Sequence, residues 1–274
     1  MTSQAEKGRA FRALHEQKQC FFIPNPWDAG SARILEGLGF PALATTSGGF
    51  ANSTGKLDGQ PGREAVLEHA KLLTSATKIP VSADLESGFG DSPKEIAETI
   101  RLAAAAGLVG GSIEDYSGKR DEPLYEIPLA ADRVRAAAEA AKKLDFPFTL
   151  TARAENFFRG KPDLADTIKR LQAYQEAGAD VLFAPALRSR EDIATVLREI
   201  DRPLSVLGGI GGIATLSLAD YQALGVRRVS VGSLLSTVAY GALIAAGQEL
   251  KDQGTFTFTG ELARAKDLKT LLQR

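Results

Sequence analysis

The 274-residue sequence predicts one α/β domain, a (β/α)₈ TIM-type barrel spanning residues 1–274. Short runs of β-branched or apolar residues alternate with longer amphipathic stretches, which is the pattern of parallel βαβ units. The short runs number eight, and eight strands fit a closed barrel better than an open sheet. Several of the long stretches end at a glycine, such as Gly107 or Gly178, which can adopt the left-handed conformation that terminates a helix.

The predicted elements follow one another in regular order along the chain. The eight predicted strands are Phe21–Pro24, Ala42–Thr45, Pro80–Asp84, Gly110–Glu114, Phe148–Ala152, Val181–Ala184, Leu204–Leu207 and Arg228–Val231. Helical patterns between them cover Ala29–Leu38, Arg63–Ala76, Pro93–Ala106, Ala130–Lys143, Asp163–Ala177, Glu191–Ile200 and Ser217–Leu224. An apolar segment, Leu234–Leu250, and a charged helix, Glu261–Gln273, follow the last strand, so residues 234–274 are predicted to add C-terminal helices to the barrel.

Composition excludes several classes of function. The formal net charge is −1, so no strong field attracts nucleic acid or an anionic membrane. The single cysteine, Cys20, excludes a disulfide within the chain and is expected to be a buried structural thiol. No apolar run reaches the ~20 residues that span a bilayer, and Met1–Glu16 lacks an apolar signal core. We therefore expect a cytoplasmic protein with no membrane or nucleic-acid partner.

Acidic residues follow two neighbouring predicted strands at the end where barrel enzymes place their chemistry. Asp84 and Glu86 lie two residues apart after the third strand, so both can point the same way. Glu114 ends the fourth strand. Such a cluster of like charges requires a cation, and carboxylate oxygens suit Mg²⁺, with Mn²⁺ as a substitute. The alternative is a structural network in which these carboxylates pair with an arginine such as Arg153. Arg153 could neutralise Glu114 or Glu155 and also bind a substrate carboxylate, since these two roles are compatible.

Other strand ends offer groups that could bind a small anion. Arg153, at the fifth strand, presents a planar fork suited to a carboxylate. The second strand runs into small residues whose backbone N–H groups can approach a ligand: Thr46, Ser47, Gly48 and Gly49. Trp27 follows the first strand and could form a wall of the pocket.

Two kinds of catalyst are missing from the expected positions. No predicted strand contains a lysine, which argues against a Schiff-base aldolase. The two histidines, His15 and His69, lie in helical patterns that we interpret as facing outward. We therefore do not expect imidazole acid–base chemistry.

Four motifs, in order at four strand ends, carry a resemblance to a known family: Thr46-Ser47-Gly48-Gly49, Asp84-Leu85-Glu86-Ser87-Gly88-Phe89-Gly90, Ile113-Glu114-Asp115 and Thr151-Ala152-Arg153. With these, the chain resembles the isocitrate lyase / phosphoenolpyruvate mutase superfamily, in its phosphonomutase-like branch. The resemblance covers most of the chain, from Ile23 to about Ser233. It implies a barrel whose last helix is exchanged between subunits, in a homodimer or homotetramer.

The resemblance also implies roles for individual residues. It implies Mg²⁺ bound to Asp84 directly and to Glu86 and Glu114 directly or through water. The substrate would be a small 2-oxo carboxylate. The residues expected to bind it are Trp27, Thr46, Ser47, Gly48, Gly49 and Arg153. The residues expected in catalysis are Ser47, Asp58, Lys119 and Arg153. Asp58 would lie near the metal, and Lys119 or Arg120 could close over a phosphonate or a second carboxylate, the alternative being a solvated loop charge.

The chain departs from the lyase pattern in two places. Tyr116–Pro123 lacks the cysteine that supplies the proton in the lyase members. The sixth strand ends Phe183-Ala184-Pro185-Ala186, where the lyases have a glutamate. Isocitrate-lyase chemistry by that route is therefore not expected.

The function predicted from these observations is that of a Mg²⁺-dependent enzyme that cleaves a C–C or C–P bond through a pyruvate-enolate-type intermediate. Oxaloacetate decarboxylation is slightly favoured, because its first step needs no protein acid; lysis of a 2-alkylmalate or of phosphonopyruvate follows closely. One alternative is a phosphosugar barrel that binds phosphate at Leu207–Gly212 and Val231–Ser233. Another is a 2-oxo acid binder without catalysis.

Overall fold

The structure, a computed structural model, describes residues 2–273 and confirms the predicted barrel. Its eight strands are β1 (Phe21–Ile23), β2 (Leu43–Ala44), β3 (Val81–Asp84), β4 (Gly110–Glu114), β5 (Thr149–Arg153), β6 (Val181–Phe183), β7 (Leu204–Leu207) and β8 (Arg228–Ser230). Each strand overlaps its predicted run. That the barrel forms one domain over 1–274 stays a prediction.

All seven strand ladders are parallel and follow the order β1-β8-β7-β6-β5-β4-β3-β2. Between β1 and β2 no ladder forms in the described chain. That seam is bridged by the Ala44 N–H, which donates to the Pro24 carbonyl at 3.1 Å. The Asn25 side chain adds bonds of 3.1 and 3.0 Å to the carbonyls of Ala44 and Thr45. The sheet is therefore nearly closed.

Helices connect the strands and cover the outside of the sheet. They are α1 (Gln4–Glu16), α2 (Ala29–Gly37), α3 (Ser47–Ser53), α4 (Arg63–Ala76), α5 (Pro93–Ala105), α6 (Ile127–Lys142), α7 (Leu164–Glu176), α8 (Arg190–Arg198), α9 (Leu218–Leu224), α10 (Leu234–Asp252) and α11 (Leu268–Gln273). Two 3₁₀ segments, Gly211–Ile213 and Thr257–Ala265, complete the elements. α1 and α3 were not among the predicted helices.

Side-chain caps define where several helices begin. Ser92 starts α5 with a capping box, in which its hydroxyl accepts from the Glu95 N–H and the Glu95 carboxylate accepts from the Ser92 N–H. Pro93 follows at the first helical position, where its missing N–H costs nothing. Asp28 and Ser217 cap α2 and α9 in the same reciprocal way. These caps hold the βα loops, and so the mouth of the barrel, in register.

The N-terminal helix α1 closes the end of the barrel opposite the βα loops. Phe11 is fully buried and packs with Phe21, Ile23 and residues of the neighbouring strands. His15 is also buried, so the prediction that it faces outward is wrong. Its Nδ1 lies 2.9 Å from the Phe11 carbonyl and its Nε2 lies 3.3 Å from the guanidinium of Arg228. These partners satisfy the ring and allow it to be buried.

The C-terminal helices differ sharply in their contacts. Along the 19 residues of α10 only Ser236 is buried, although the helix is apolar. Its exposed apolar side chains are Leu235, Val238, Leu243, Ile244 and Leu250. α11, in contrast, packs on α2. Within residues 2–273 no helix is long and apolar enough to cross a membrane.

Candidate active site

A cavity of about 520 Å³ opens at the C-terminal ends of the strands. It is lined by residues of the loops after β1, β2, β3, β4, β5, β7 and β8, and by side chains inside the barrel. Its charged lining residues are Asp58, Asp84, Glu86, Glu114, Arg153, Arg159 and Arg228. The predicted acidic and basic groups therefore meet in one place, as the strand-end argument requires.

Asp84, the last residue of β3, is held in place through both carboxylate oxygens. Oδ2 accepts the Ser47 N–H at 3.3 Å, and Oδ1 accepts the Glu86 N–H at 3.2 Å. The backbone N–H of Asp84 donates to the Thr45 hydroxyl at 2.9 Å. The Arg153 guanidinium lies 3.7 Å from Oδ1. Asp84 thus ties the loops after β2 and β3 together while its carboxylate faces the cavity.

Glu86 carries an unsatisfied buried oxygen. Its backbone φ of 49° lies in the left-handed region that residues other than glycine rarely adopt, which marks a conformation imposed by the surrounding loop. Oε1 is buried and has no hydrogen-bond partner. Burial, with the charges of Asp84 and Asp58, raises the pKa of Glu86 to about 8. A buried carboxylate oxygen without a hydrogen-bond partner is suited to binding a cation.

The raised pKa of Glu86 makes stability depend on pH in metal-free protein. Between pH 4.5 and about 8 the folded state holds this proton more tightly than the unfolded state, so the free energy of unfolding falls as the pH rises through that window. Glu86→Gln is expected to flatten that part of the profile. Urea unfolding in EDTA at several pH values measures it, with Glu122→Gln on an exposed loop as the control. If the free energy of unfolding depends on pH in the same way in the wild type and in Glu86→Gln, the raised pKa does not belong to Glu86.

Two arginines and two glutamates form a network at the ends of β4 and β5. The Arg153 Nε–H donates to Glu155, which is fully buried. Arg159 lies 3.0 Å from the second oxygen of Glu155. Glu114 is paired through both oxygens, 3.4 Å from Arg153 and 3.2 Å from Arg159. The predicted neutralisation of Glu114 and Glu155 by Arg153 is therefore present, with Arg159 as a second cation.

Arg153 keeps one part of its guanidinium available to a ligand. Burial alone would lower the pKa of Arg153, but the Glu155, Glu114 and Asp84 carboxylates raise it above its ordinary value. In the described chain its Nη2 has no acceptor, and Arg153 lines the cavity. Its guanidinium carbon lies 5.1 Å from the ring centre of Phe183. The arginine is thus held rigid while one donor edge is free.

The donor set fits a divalent cation held mainly by Asp84 and Glu86. Glu114 is already paired with two guanidiniums, which leaves it to act through water or as a support. Within residues 2–273 no three His, Cys, Asp or Glu side chains are close enough to enclose a metal by themselves. Mg²⁺ needs no such enclosure, because it takes one or two carboxylates and keeps several waters. The unpartnered Glu86 oxygen is the observation that supports the fit.

The predicted Thr46–Gly49 pocket is the start of a helix. Thr46 caps α3, because its hydroxyl accepts the Gly49 N–H at 3.3 Å. The Ser47 N–H is engaged by Asp84, and Thr46, Ser47 and Gly48 line the cavity. Gly49 is buried behind the wall. A Cβ there would lie 2.6 Å from the Thr46 methyl carbon and 3.2 Å from the Trp27 Cβ.

The remaining predicted residues lie at different depths around the cavity. Asp58 lines it, and its Oδ2 would be 3.6 Å from a Cβ on Gly48. Trp27 packs against Gly49 without lining the cavity, and its carbonyl is 2.9 Å from Nε2 of His69. His69 is buried and stacks on Phe50, so its predicted outward position is wrong. Lys119 is exposed on the loop after β4, next to Gly118, which does line the cavity.

Sequence reasoning missed a wall formed by Tyr116, Phe158 and Arg159. The Arg159 guanidinium stacks 3.6 Å from the Tyr116 ring centre and 5.6 Å from that of Phe158. All three line the cavity, and Phe158 is 47% exposed. The signal available in the sequence was the pair of adjacent aromatic residues followed by an arginine, just after the strand that carries Arg153. The wall offers an aromatic surface beside the acidic site.

Comparisons with known proteins agree with this geometry. The chain is 51% identical to a candidate lyase/mutase from Burkholderia cenocepacia J2315, whose crystal structure superposes with a TM-score of 0.94 and covers 99% of this chain and 97% of that one. It is 29% identical to 2-methylisocitrate lyase of Halalkalibacterium halodurans, over 92% of this chain and 85% of the relative. It is also 29% identical to oxaloacetate decarboxylase of Chromohalobacter salexigens, over 84% and 80%.

A further solved structure shares the fold at lower identity. Phosphonopyruvate hydrolase in complex with oxalate and Mg²⁺ is 23% identical, with a TM-score of 0.81 and coverage of 98% of both chains. Residues 11–251, most of the chain, match the family described as phosphoenolpyruvate phosphomutase. The barrel, the strand-end motifs and these relatives agree: the chain belongs to the phosphoenolpyruvate mutase family of the isocitrate lyase / phosphoenolpyruvate mutase superfamily, whose members include lyases.

Proposed function

We propose that this protein is a Mg²⁺-dependent lyase that acts on a small 2-oxo carboxylate and cleaves a C–C or C–P bond. The observation that carries the proposal is the unpartnered Glu86 oxygen beside Asp84, in a cavity that also presents a free donor edge of Arg153. Glu86 and Asp84 are suited to binding a cation, and the free donor edge of Arg153 is suited to binding a carboxylate. Among the relatives, 2-methylisocitrate lyase and oxaloacetate decarboxylase are named for substrates that contain carboxylates.

Each side chain of the cavity has a distinct task in this proposal. Asp84 and Glu86 hold Mg²⁺, with Glu114 and Asp58 acting directly or through water. Bound Mg²⁺ supplies Lewis acidity toward the carbonyl oxygen of the substrate. Arg153 binds the substrate carboxylate through Nη2, because Glu155 holds the other side of the guanidinium.

The segment after β2 completes the substrate pocket. Ser47 and Gly48 line the cavity next to Asp84 and present a hydroxyl and a backbone group to an oxygen that gains negative charge. Thr46 and Gly49 shape this segment, and Trp27 supports it from behind. Lys119, exposed at the rim, is proposed to approach the substrate when its loop closes.

Oxaloacetate decarboxylation is the favoured reaction. Loss of CO₂ from oxaloacetate leaves a pyruvate enolate, and that step transfers no proton from the protein. It therefore tolerates a loop, Tyr116–Pro123, without a cysteine. The relative named oxaloacetate decarboxylase supports this choice. Lysis of a 2-alkylmalate or of phosphonopyruvate is the second candidate, since the aromatic wall of Tyr116 and Phe158 offers room beside the acidic groups for a larger substituent.

The test measures release of pyruvate from oxaloacetate, from 2-methylmalate as the 2-alkylmalate, and from phosphonopyruvate, with Mg²⁺, with Mn²⁺ and with EDTA. We expect release from at least one substrate, its loss in EDTA and its recovery with either metal. Calorimetry with oxalate, a non-reacting analogue, separates binding from turnover. Metal-dependent oxalate binding without any release would favour the 2-oxo acid binder, whereas no metal-dependent binding by folded protein would refute the metal site.

We further propose a cytoplasmic homodimer or homotetramer of single-domain subunits in which α10, from the C-terminal segment, is exchanged between subunits. The exposed apolar side chains of α10 support this assembly, because a contiguous apolar face of this kind marks a protein interface. A second copy of the chain is the proposed partner. The near-neutral net charge gives no reason to expect nucleic acid or an anionic membrane instead.

Val238→Glu combined with Leu243→Glu tests the assembly. Val238 is 72% and Leu243 65% exposed in the single chain, so the double substitution should leave the fold intact while placing charges in the interface. Light scattering after gel filtration should show an oligomer for the wild type and a monomer for the variant. Gln248→Glu, at an exposed polar position of the same helix, is the control. A monomeric wild type would exclude the assembly.

A further inference from the structure

The interior of the barrel contains a buried cation that the proposed function does not use. Arg228, the first residue of β8, is buried, yet it lines the bottom of the same cavity that Asp84 and Glu86 line above. No carboxylate of residues 2–273 lies within salt-bridge distance of its guanidinium. Burial lowers the pKa of Arg228 to about 10, so the side chain is protonated at neutral pH.

Three neutral groups accept hydrogen bonds from this guanidinium. Nε donates to the Ser205 hydroxyl at 3.0 Å, and Nη2 donates to the Thr151 hydroxyl at 3.1 Å. Nη1 lies 3.3 Å from Nε2 of His15. The Nδ1–H of His15 donates to the Phe11 carbonyl, which leaves Nε2 as an acceptor. Burial and the charge of Arg228 lower the pKa of His15 to about 3, which keeps the ring neutral.

These contacts leave the guanidinium incompletely satisfied. It carries five N–H donors, and three of them are used, so one N–H on each Nη has no acceptor in the described chain. The positive charge also has no counter-ion. A buried charge without a counter-ion is strongly unfavourable. Each buried N–H without an acceptor adds a smaller cost. An anion satisfies both deficits at once.

We propose that the floor of the cavity is an anion-binding subsite, with Arg228 as its cation, for a carboxylate group or a halide ion. The hydroxyls of Ser82, Ser112 and Ser230 also line the cavity and provide a polar surface around such an anion. Carboxylate and halide share the required chemistry: a single compact negative charge that accepts two N–H bonds. Arg228 makes these contacts whether or not Mg²⁺ binds above, so the subsite is independent of the metal.

Bromide tests the subsite directly, because its anomalous scattering locates it without ambiguity. Crystals of the protein grown in EDTA and soaked in bromide should show an anomalous peak against the two Nη atoms of Arg228. The peak should vanish in Arg228→Met and persist, more weakly, in Arg228→Lys, which retains the charge but not the fork. An empty floor in wild-type crystals, or a peak that survives in Arg228→Met, would overturn the proposal.

Oxalate titrations in chloride-free buffer, with and without bromide, distinguish a substrate carboxylate from a separate inorganic anion as the ligand of this subsite. If a substrate carboxylate reaches the floor, bromide should raise the apparent Kd of oxalate about tenfold, the equivalent of one charge-assisted hydrogen bond. If the subsite holds a separate inorganic anion, the oxalate Kd should not rise. Both results require the bromide peak in the wild type. Failure of metal-dependent oxalate binding would count against the proposed function and leave the diffraction test intact.

Discussion

Asp84→Asn is expected to abolish metal-dependent binding of oxalate and all turnover while leaving the protein folded. The amide keeps an oxygen that can accept the Ser47 or Glu86 N–H, so the loops after β2 and β3 retain an anchor. It loses the charge that makes Asp84 a ligand for a hard cation. Affinity for Mg²⁺ should fall by more than the roughly 10–100-fold that loss of a supporting residue costs. Calorimetry with Mg²⁺ and then oxalate measures both steps.

The matched control is Asp121→Asn, which removes the same charge from an exposed position on the loop after β4. It should bind metal and oxalate as the wild type does. If folded Asp84→Asn keeps wild-type affinity for Mg²⁺ and oxalate, then Asp84 is not a metal ligand and the proposed function loses its basis. Thermal unfolding in EDTA shows whether the variant is folded independently of any ligand.

Asp115→Ala is expected to cause the largest loss of stability, about 3–5 kcal/mol, because it breaks a buried ion pair from one side. The Asp115 carboxylate accepts from Arg170 at 3.1 Å, from the Tyr174 hydroxyl at 2.5 Å and from the Glu155 N–H at 2.8 Å. Alanine removes the buried one of the two carboxylates paired with Arg170, since Asp166 stays 2.7 Å from its Nε, and it leaves the Tyr174 hydroxyl and the Glu155 N–H without an acceptor. Urea unfolding measures the change in the free energy of unfolding.

Asp132→Ala provides the comparison, because Asp132 is paired with Arg135 on an exposed face of α6. Exposed pairs contribute roughly 0–1 kcal/mol, so this variant should unfold close to the wild-type midpoint. A loss below about 1 kcal/mol for Asp115→Ala would show that Asp166 and water compensate Arg170 for the missing carboxylate. The position of Glu155, and with it Arg153, would then rest on β5 alone.

The barrel could be predicted because its strands are short apolar runs in a regular rhythm, and parallel strands covered on both faces have that pattern. Two helices escaped prediction for different reasons. α3 contains Gly48 and Gly49, whose low helix propensity masked it, and its cap at Thr46 depends on tertiary placement. α1 lies before the first strand, outside the repeating unit used to assign elements.

The candidate site was predictable where it depends on strand ends and unpredictable where it depends on loops. Asp84, Glu86, Glu114 and Arg153 meet because neighbouring parallel strands end at the same edge. Glu155, two residues after Arg153, was named from the sequence as a partner of that arginine. The stacking of Arg159 on a loop aromatic depends on backbone paths that no periodicity encodes.

The histidines show the limit of polarity as a guide to burial. His15 and His69 were expected outside because both lie in helical patterns that we interpreted as facing outward. Each is buried because a backbone carbonyl lies 2.9 Å from a ring nitrogen, and the carbonyl that a side chain will meet cannot be deduced from its own helix.

The seam between β1 and β2 has a consequence for how the barrel moves. A sheet opens most easily where the fewest backbone bonds must break together, and here the link is one amide and the Asn25 side chain. The amide proton of Ala44, which bonds across the seam, should therefore exchange with solvent through local opening that leaves the β4–β5 half of the molecule intact. Ser47 follows this seam and contacts Asp84. A ligand that binds both residues should therefore also stabilise the barrel against opening between β1 and β2.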